Sequence, residues 1–488
     1  MMTSMKKIRF ALVLGLLLMV SCTDDFMEMN TNPLTISFDN TPTNMLFTNA
    51  LKRGVLDYSI YQRGEFLYAN LLAQYWANAV SGWPTDRYNM NDEWIQAYWD
   101  DYYAGFGMDA YMCQLKLEED VELNVNKISM VRIWRVWILH RMTDYFGPMP
   151  NSEAFKANEG ILKPAYDSQE EIYNYMLNEL KEAVADFNPE QKASFGTADI
   201  LFDGNIDRWT LFANSLRMRL AMRISDVEPE LAREHFVEAY TNGALGSNDD
   251  NVLMTCYNTT YLEKNPLCTV LSFANERRIS KTMVDYLNLN GDPRKAKIAQ
   301  YPYNGLPNGM TDAQLGTIIH SEYSKAGIKY FRGDYPTEIM KYSEVCLLLA
   351  EAALKGWISD NTAKNYYEMG VKQSMLYHKA SVGSYLSKPN IAWDESKALE
   401  QIHLQKWIAL FPNGMEAFAE IRRSGYPRLN ALMAPPSQTS TDGKYPCRIA
   451  YPYSEVSWNR ENAEAAMNAA GFSGNNMTSL LWWDVAAN

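Results

Sequence analysis

Apolar residues recur at three- and four-residue spacing through stretch after stretch of this chain, which confines it to a mostly helical architecture. Residues 61–79, 93–117, 127–145, 168–187 and 209–224 carry the pattern, as do 339–354, 362–377, 395–411 and 415–423. Ser81, Gly82 and Pro84 mark a stop after the first of these. Pro336 stands where a first helical turn tolerates proline, and Gly356 stands where a helix C-cap favours glycine. Pro412, Asn413 and Gly414 separate the last two stretches. Residues 246–334, 426–457 and the tail after Ala470 read differently, mixing Asn, Gly, Pro and Tyr with short apolar runs. The pattern predicts antiparallel helices joined by short loops, a helical scaffold carrying a loop-rich cap. The 34-residue signature of tetratricopeptide repeats is not visible in the sequence itself.

The N-terminus predicts the compartment. Lys6, Lys7 and Arg9 form a basic region ahead of an apolar run over residues 10–20, too short to span a bilayer and of the length of a secretory signal. Small residues lead into Cys22, as in a bacterial lipobox, where the thiol is acylated and becomes the new N-terminus; Met19 departs from the Leu preferred there. No later segment is long and apolar enough to cross a membrane, so lipid on Cys22 is the expected anchor. Asp24 and Asp25 resemble the surface-export signal of Bacteroidetes lipoproteins.

Charge and motif content exclude several functions. The net charge is −13 without any Lys/Arg-rich run, so a nucleic-acid partner is not expected. The five histidines at 140, 235, 320, 378 and 403 form no H-x-x-x-H pair, and no G-x-S-x-G elbow or phosphate-cradling glycine loop occurs. No catalytic residue is assigned, and no cofactor or dedicated metal site is expected. Asn248, Asp249, Asp250 and Asn251, with Asn290 and Asp292, offer oxygen ligands that calcium would accept, or ordinary turn chemistry. Cysteines 113, 256, 268, 346 and 447 show no C-x-x-C pair; Cys256 and Cys268 are available to bridge, but buried free thiols are the expected state.

Five blocks, in order, resemble the SusD/RagB family of outer-membrane nutrient-binding lipoproteins. They are DYFGPMPNSEAF at 144–155, WTLFANSLRMRLAMRIS at 209–225, YPTEIMKYSEVCLLLAEAAL at 335–354, IHLQKWIALFPNGMEAFAEIRRSGYPRL at 402–429 and PCRIAYPYSEVSWNRENAEAA at 446–466. MNTNP at 29–33 precedes them. Most of this is scaffold: Ile402, Trp407, Ile408, Phe411 and Phe418 have helical spacing, and Glu420, Arg422 and Arg423 can supply ion pairs. The resemblance implies tetratricopeptide-like helix pairs with an irregular capping subdomain. It implies a signal peptide at 1–21, a lipidated tether at 22–40, scaffold at 41–245 and 335–425, and cap at 246–334 and 426–488. It also implies a lid on a SusC-like TonB-dependent transporter that captures an oligosaccharide, or a peptide as in the RagB branch. A purely structural lid is the remaining reading.

The composition is rich in aromatics, with 13 Trp, 31 Tyr and 18 Phe. A neutral glycan presents apolar C–H faces and hydroxyls, so its receptor needs aromatic planes beside Asp, Asn or Arg in a concave site. The loop between the first two long helices supplies Trp83, Asp86, Arg87 and Tyr88, and the resemblance places an aromatic platform at that position. Trp94 is the nearest aromatic of the following helix. In the cap, Tyr257, Tyr261, Tyr301, Tyr303 and Asn304 are the candidates to complete the site.

Overall fold

The computed structural model describes residues 40–272 and 276–485. The signal, Cys22 and the tether before residue 40 lie outside them. The fold is mostly α, in tetratricopeptide-like helix pairs with a few short strands. The first helix, α1 (Thr43–Val55), is followed by a continuous helical run, α2, made of Tyr58–Ile60, the π-helical Tyr61–Ala69 and Asn70–Leu72. Strand β1 (Trp76–Asn78) leads through the loop of interest to α3 (Asp92–Asp101), a π-helical turn (Tyr102–Phe106) and α4 (Gly107–Leu117). Then come α5 (Val121–Phe146), α6 (Gln169–Ala185), α7 (Ile206–Arg223) and α8 (Pro229–Thr241).

After α8 come β2 (Val252–Met254), whose Val252 and Met254 join the main core, and then β3 (Arg277–Ile279) and α9 (Lys281–Leu289). The chain returns to the scaffold through β4 (Thr337–Met340), α10 (Tyr342–Leu354), α11 (Ala363–Tyr377), α12 (Ala398–Leu410) and α13 (Gly414–Ser424). Two late helices, α14 (Tyr453–Trp458) and α15 (Arg460–Ala469), follow. Helix α5 packs on α6, α7 on α8 and α10 on α11, each helix against the next in sequence as in a repeat scaffold. No helix among the described residues is long and apolar enough to cross a membrane.

Caps explain where helices begin. The Ser168 hydroxyl accepts the Glu171 N–H while the Glu171 carboxylate accepts the Ser168 N–H, a reciprocal box that starts α6. Thr362 starts α11 in the same position. Gly356, at φ +69°, turns the chain out of α10 in the left-handed conformation glycine permits.

Three expectations are corrected. The stretch 61–79 is not one helix: it ends at Leu72, and Trp76–Asn78 pairs antiparallel with Arg277–Ile279 of the cap. The stretch 93–117 is interrupted at Gly105, whose φ of −131° and ψ of −110° are not helical. Pro336 precedes strand β4, which pairs with β2, and the helix begins only at Tyr342.

The cap is fastened through a second core. Tyr75 and Trp76 meet Trp407 and Phe411 of the scaffold together with Ile279 and Met283 of the cap. The Trp407 indole donates to the Ala73 carbonyl at 3.0 Å and the Tyr75 hydroxyl donates to the Trp407 carbonyl. The scaffold helices are also joined by buried ion pairs. Arg219 grips Glu344 at 2.7 and 2.8 Å, and Arg223 reaches Glu416 at 2.6 Å. Arg423 binds both oxygens of Glu351 at 2.7 Å and also Glu420, which accepts from Lys406 at 2.9 Å. The charged residues of the 402–429 block thus act in packing; Arg422 differs, donating to the carbonyls of Phe418, Cys447 and Asp144. All five described cysteines are free thiols, Cys256 and Cys268 included.

Candidate functional site

The loop at 81–88 is built around one carboxylate. Asp86 accepts the backbone N–H of Asn78 at 3.0 Å, that of Gly309 at 3.1 Å and the Asn308 side-chain amide at 2.7 Å. Burial pushes its carboxyl up to about 6, against those three hydrogen bonds. Arg87 donates to Asp312 at 3.0 Å and to the Met310 carbonyl at 3.2 Å, and the Gly82 N–H also reaches Asp312 at 3.2 Å. The loop is therefore clamped to residues 308–312 of the cap.

This geometry corrects part of the expected site. Asp86 is 4% exposed and its oxygens are taken, so it shapes the loop and does not face a hydroxyl. Tyr88, at φ +57° and 5% exposed, turns inward and packs edge-on against Tyr445 at 5.9 Å. Arg87 keeps a partly exposed guanidinium, but it spans loop and cap.

Trp83 and Trp94 do come together. Their rings lie 5.3 Å apart at 46°, and both are half-buried. The Arg277 guanidinium lies 4.1 Å from the Trp83 ring centroid, a cation–π contact the sequence did not signal because β3 is nearly 200 positions away. Arg277 donates through Nη1 to Asn78 and to the Glu276 carbonyl, while its Nε and Nη2 have no partner. Burial lowers its pKa to about 10.

Glu276 and Arg277 also act on Tyr58. Burial and then the Glu276 charge raise that phenol, while Gln62, Arg277 and Arg63 lower it. Tyr58 in turn lies edge-on to Tyr261 at 5.7 Å. Tyr261 and Tyr257 are both more than half exposed. The half-buried Trp94 and Trp83 thus pack with the buried Arg277, and Tyr58 with the more exposed Tyr261 forms a second aromatic pair. Tyr58 and Arg277 are the residues sequence reasoning missed.

Tyr301, Tyr303 and Asn304 belong elsewhere. The two tyrosines meet edge-on at 6.1 Å and line a separate cavity of about 490 Å³ with Gln300, Ile328 and Lys329. Lys295 lies 4.7 Å from the Tyr303 ring. The Asn304 side chain donates to the Glu322 carbonyl at 2.9 Å, which fixes a turn of the cap.

Asp250 and Asp292, the central carboxylates of the two oxygen-rich runs, accept from the chain's own donors. Asp250 accepts the N–H groups of Gly246 and Ser247 at 3.0 and 2.8 Å, and Asn248 donates to Gln373. Asp292 is buried against Arg294 and the Tyr385 hydroxyl, each at 2.7 Å. Glu351, His403 and Glu420 place ligand-type atoms within 4.8 Å of one another, but Arg423 and Lys406 fill that cluster with cations.

Comparison with known proteins agrees with this architecture. The model of the SusD-like family, described as "starch-binding associating with outer membrane", matches residues 35–452. A chitin-binding SusD homolog from Flavobacterium johnsoniae is 29% identical, with a TM-score of 0.80 over 91% of this chain and 98% of that one. A SusD homolog from Bacteroides uniformis is 27% identical, with a TM-score of 0.82 over 91% of this chain and 99% of the other. A further chitin-binding protein is 28% identical, with a TM-score of 0.80 over 91% of this chain and its own full length. A search of the curated proteins found no match. With its helix pairs, its cap and the greater part of its length matched, the chain belongs to the SusD-like family of starch-binding, outer-membrane-associated proteins.

Proposed function

We propose that the chain is a cell-surface lipoprotein, anchored through Cys22, that captures an oligosaccharide and passes it to a SusC-like TonB-dependent transporter. It binds and does not catalyse. The observation that carries this reading is the Trp83–Trp94 pair, held at the edge of a loop that Asp86 and Arg87 clamp from behind. Pre-fixing the loop lowers the ordering cost of binding. The half-buried indoles offer apolar surface to the C–H side of a sugar, and the buried Arg277 guanidinium braces the Trp83 ring. Two structural relatives are described as chitin-binding, which makes N-acetylglucosamine oligomers the first probes.

The test is calorimetric titration of the soluble chain beginning after Cys22 with chito-oligosaccharides, malto-oligosaccharides and short peptides. A saccharide response with a saturable one-site isotherm is expected. Binding of peptides alone would contradict the glycan reading, and silence toward all three would contradict capture by the isolated chain.

A further inference from the structure

A second cavity, of about 670 Å³, opens between the segments at 427–436 and 478–484, and Trp83 is not among its lining residues. Tyr88, which the sequence assigned to the loop site, lines this cavity instead, together with Tyr445.

On its wall lies an anomaly. Asp484 is 1% exposed, and neither of its carboxylate oxygens has a hydrogen-bond partner among the described residues. Buried polar groups are almost always paired, and an unpaired carboxylate is among the most unfavourable groups to bury. The nearest cation does not relieve it. The Arg422 guanidinium is spent on the carbonyls of Phe418, Cys447 and Asp144, and it forms no ion pair with Asp484. Burial pushes the Asp484 carboxyl up to about 6, only partly offset by the Arg422 charge. Burial, and after it the Asp484 charge, raises the neighbouring Cys447 thiol.

Two exposed cations, Arg428 and Lys444, stand on the same cavity, and neither has an ion pair among the described residues. The cavity thus has an unsatisfied acceptor inside, aromatic walls, and unpaired positive charge toward solvent.

We propose that this cavity is a second ligand site that takes a small sugar acid, whose hydroxyls donate to Asp484 and whose carboxylate faces Arg428 and Lys444. Two adjacent hydroxyls match the two free oxygens of Asp484. A neutral sugar would leave the cations unused, and a simple carboxylic acid would leave Asp484 unpaired. The site stands apart from the Trp83 face and does not depend on the glycan reading of that face.

The experiment uses D-glucuronate as the probe and D-glucose as its control, titrated into the soluble chain and into Asp484→Asn, Trp83→Ala and the double variant Arg428→Ala/Lys444→Ala. The chain should bind glucuronate at least tenfold tighter than glucose. Asp484→Asn and the double variant should each weaken glucuronate at least tenfold, and Trp83→Ala should leave it unchanged. The melting temperature of ligand-free Asp484→Asn should not fall, because no native partner is lost. Absence of glucuronate binding at millimolar concentration overturns the proposal, as does unchanged binding by Asp484→Asn. A fall of several degrees in the ligand-free variant also overturns it, since that would mark the carboxylate as structural. Loss of glucuronate binding in Trp83→Ala would place the probe at the other face and likewise overturn it.

Discussion

Replacing Glu420 by Gln should be among the most damaging conservative changes in the scaffold. Its carboxylate accepts from Lys406 at 2.9 Å, from Arg423 at 3.0 and 3.2 Å, and is bonded to His403 at 2.8 Å. Glu420 is fully buried and the three partners are at most 5% exposed. Gln keeps the shape but removes the charge, leaving Lys406 without a counter-ion and Arg423 with Glu351 alone. Breaking a buried pair from one side costs about 3–5 kcal/mol. Total stability of a natural domain is about 5–15 kcal/mol, so the variant should lose about a fifth of it or more.

Urea unfolding followed by circular dichroism reads this as a lower midpoint with unchanged slope. The exposed pair Lys281–Asp285 supplies the control, because Asp285→Asn should cost less than about 1 kcal/mol. The pH dependence has a definite sign. Burial by itself would raise Glu351 and Glu420, but Arg423 outweighs it at both, with Lys406 adding at Glu420. Glu351 falls from its ordinary 4.5 to about 2, and Glu420 falls well below 4.5. Groups depressed on folding stabilise fully above their unfolded value and lose that contribution as pH falls through the folded one. The gap between the native chain and Glu420→Gln should therefore be widest above pH 4.5 and close as pH falls toward 2. A loss below about 1 kcal/mol at pH 7, or a gap independent of pH, would refute this account of the ion network.

Other consequences are more local. Gly64 lies in the π-helical part of α2, where an added Cβ would fall within the buried Tyr98 ring; Gly64→Ala should cost about 1–3 kcal/mol despite alanine's better helix propensity, measured by the same urea assay. Cys113 and Cys346 are buried and burial pushes both thiols up to about 12, so a thiol reagent at pH 8 should label the more accessible Cys268 first and reach those two only on unfolding. Asp86→Ala removes three hydrogen bonds from the 81–88 loop; amide exchange at Asn78 and Gly309 should accelerate at least tenfold while the scaffold helices stay protected.

The scaffold was legible where signals are local. The three-and-four spacing with Ser168 and Thr362 as caps marks α6 and α11 within a residue or two, because a helix is stabilised by neighbours in sequence. Helix α8 lies outside the stretches read as helical, although Pro229 at its first position and Leu231, Ala232, His235, Phe236 and Ala239 along it carry the usual marks. The overrun at 73–79 has a different cause. Tyr75, Trp76, Ala77 and Ala79 are buried on every side, so their apolar spacing cannot distinguish helix from strand, and a three-residue strand has no period to read.

The site was half legible for the same reason. An aromatic in a Gly/Pro loop singles out Trp83, and the structure sets its half-buried ring against that of Trp94. Asp86 and Tyr88 could not be told apart from solvent-facing residues, because their partners Asn308, Gly309 and Tyr445 are more than 200 positions distant. Arg277 escaped notice in the same way.

The central claim is that the Trp83 face captures a glycan. Its most direct test is the affinity of the soluble chain for its best chito- or malto-oligosaccharide, compared with Trp83→Ala and Trp94→Ala at matched urea midpoints. The account predicts at least a tenfold loss, about 1.4 kcal/mol or more, in each variant with folding intact. Undiminished affinity in both would contradict it.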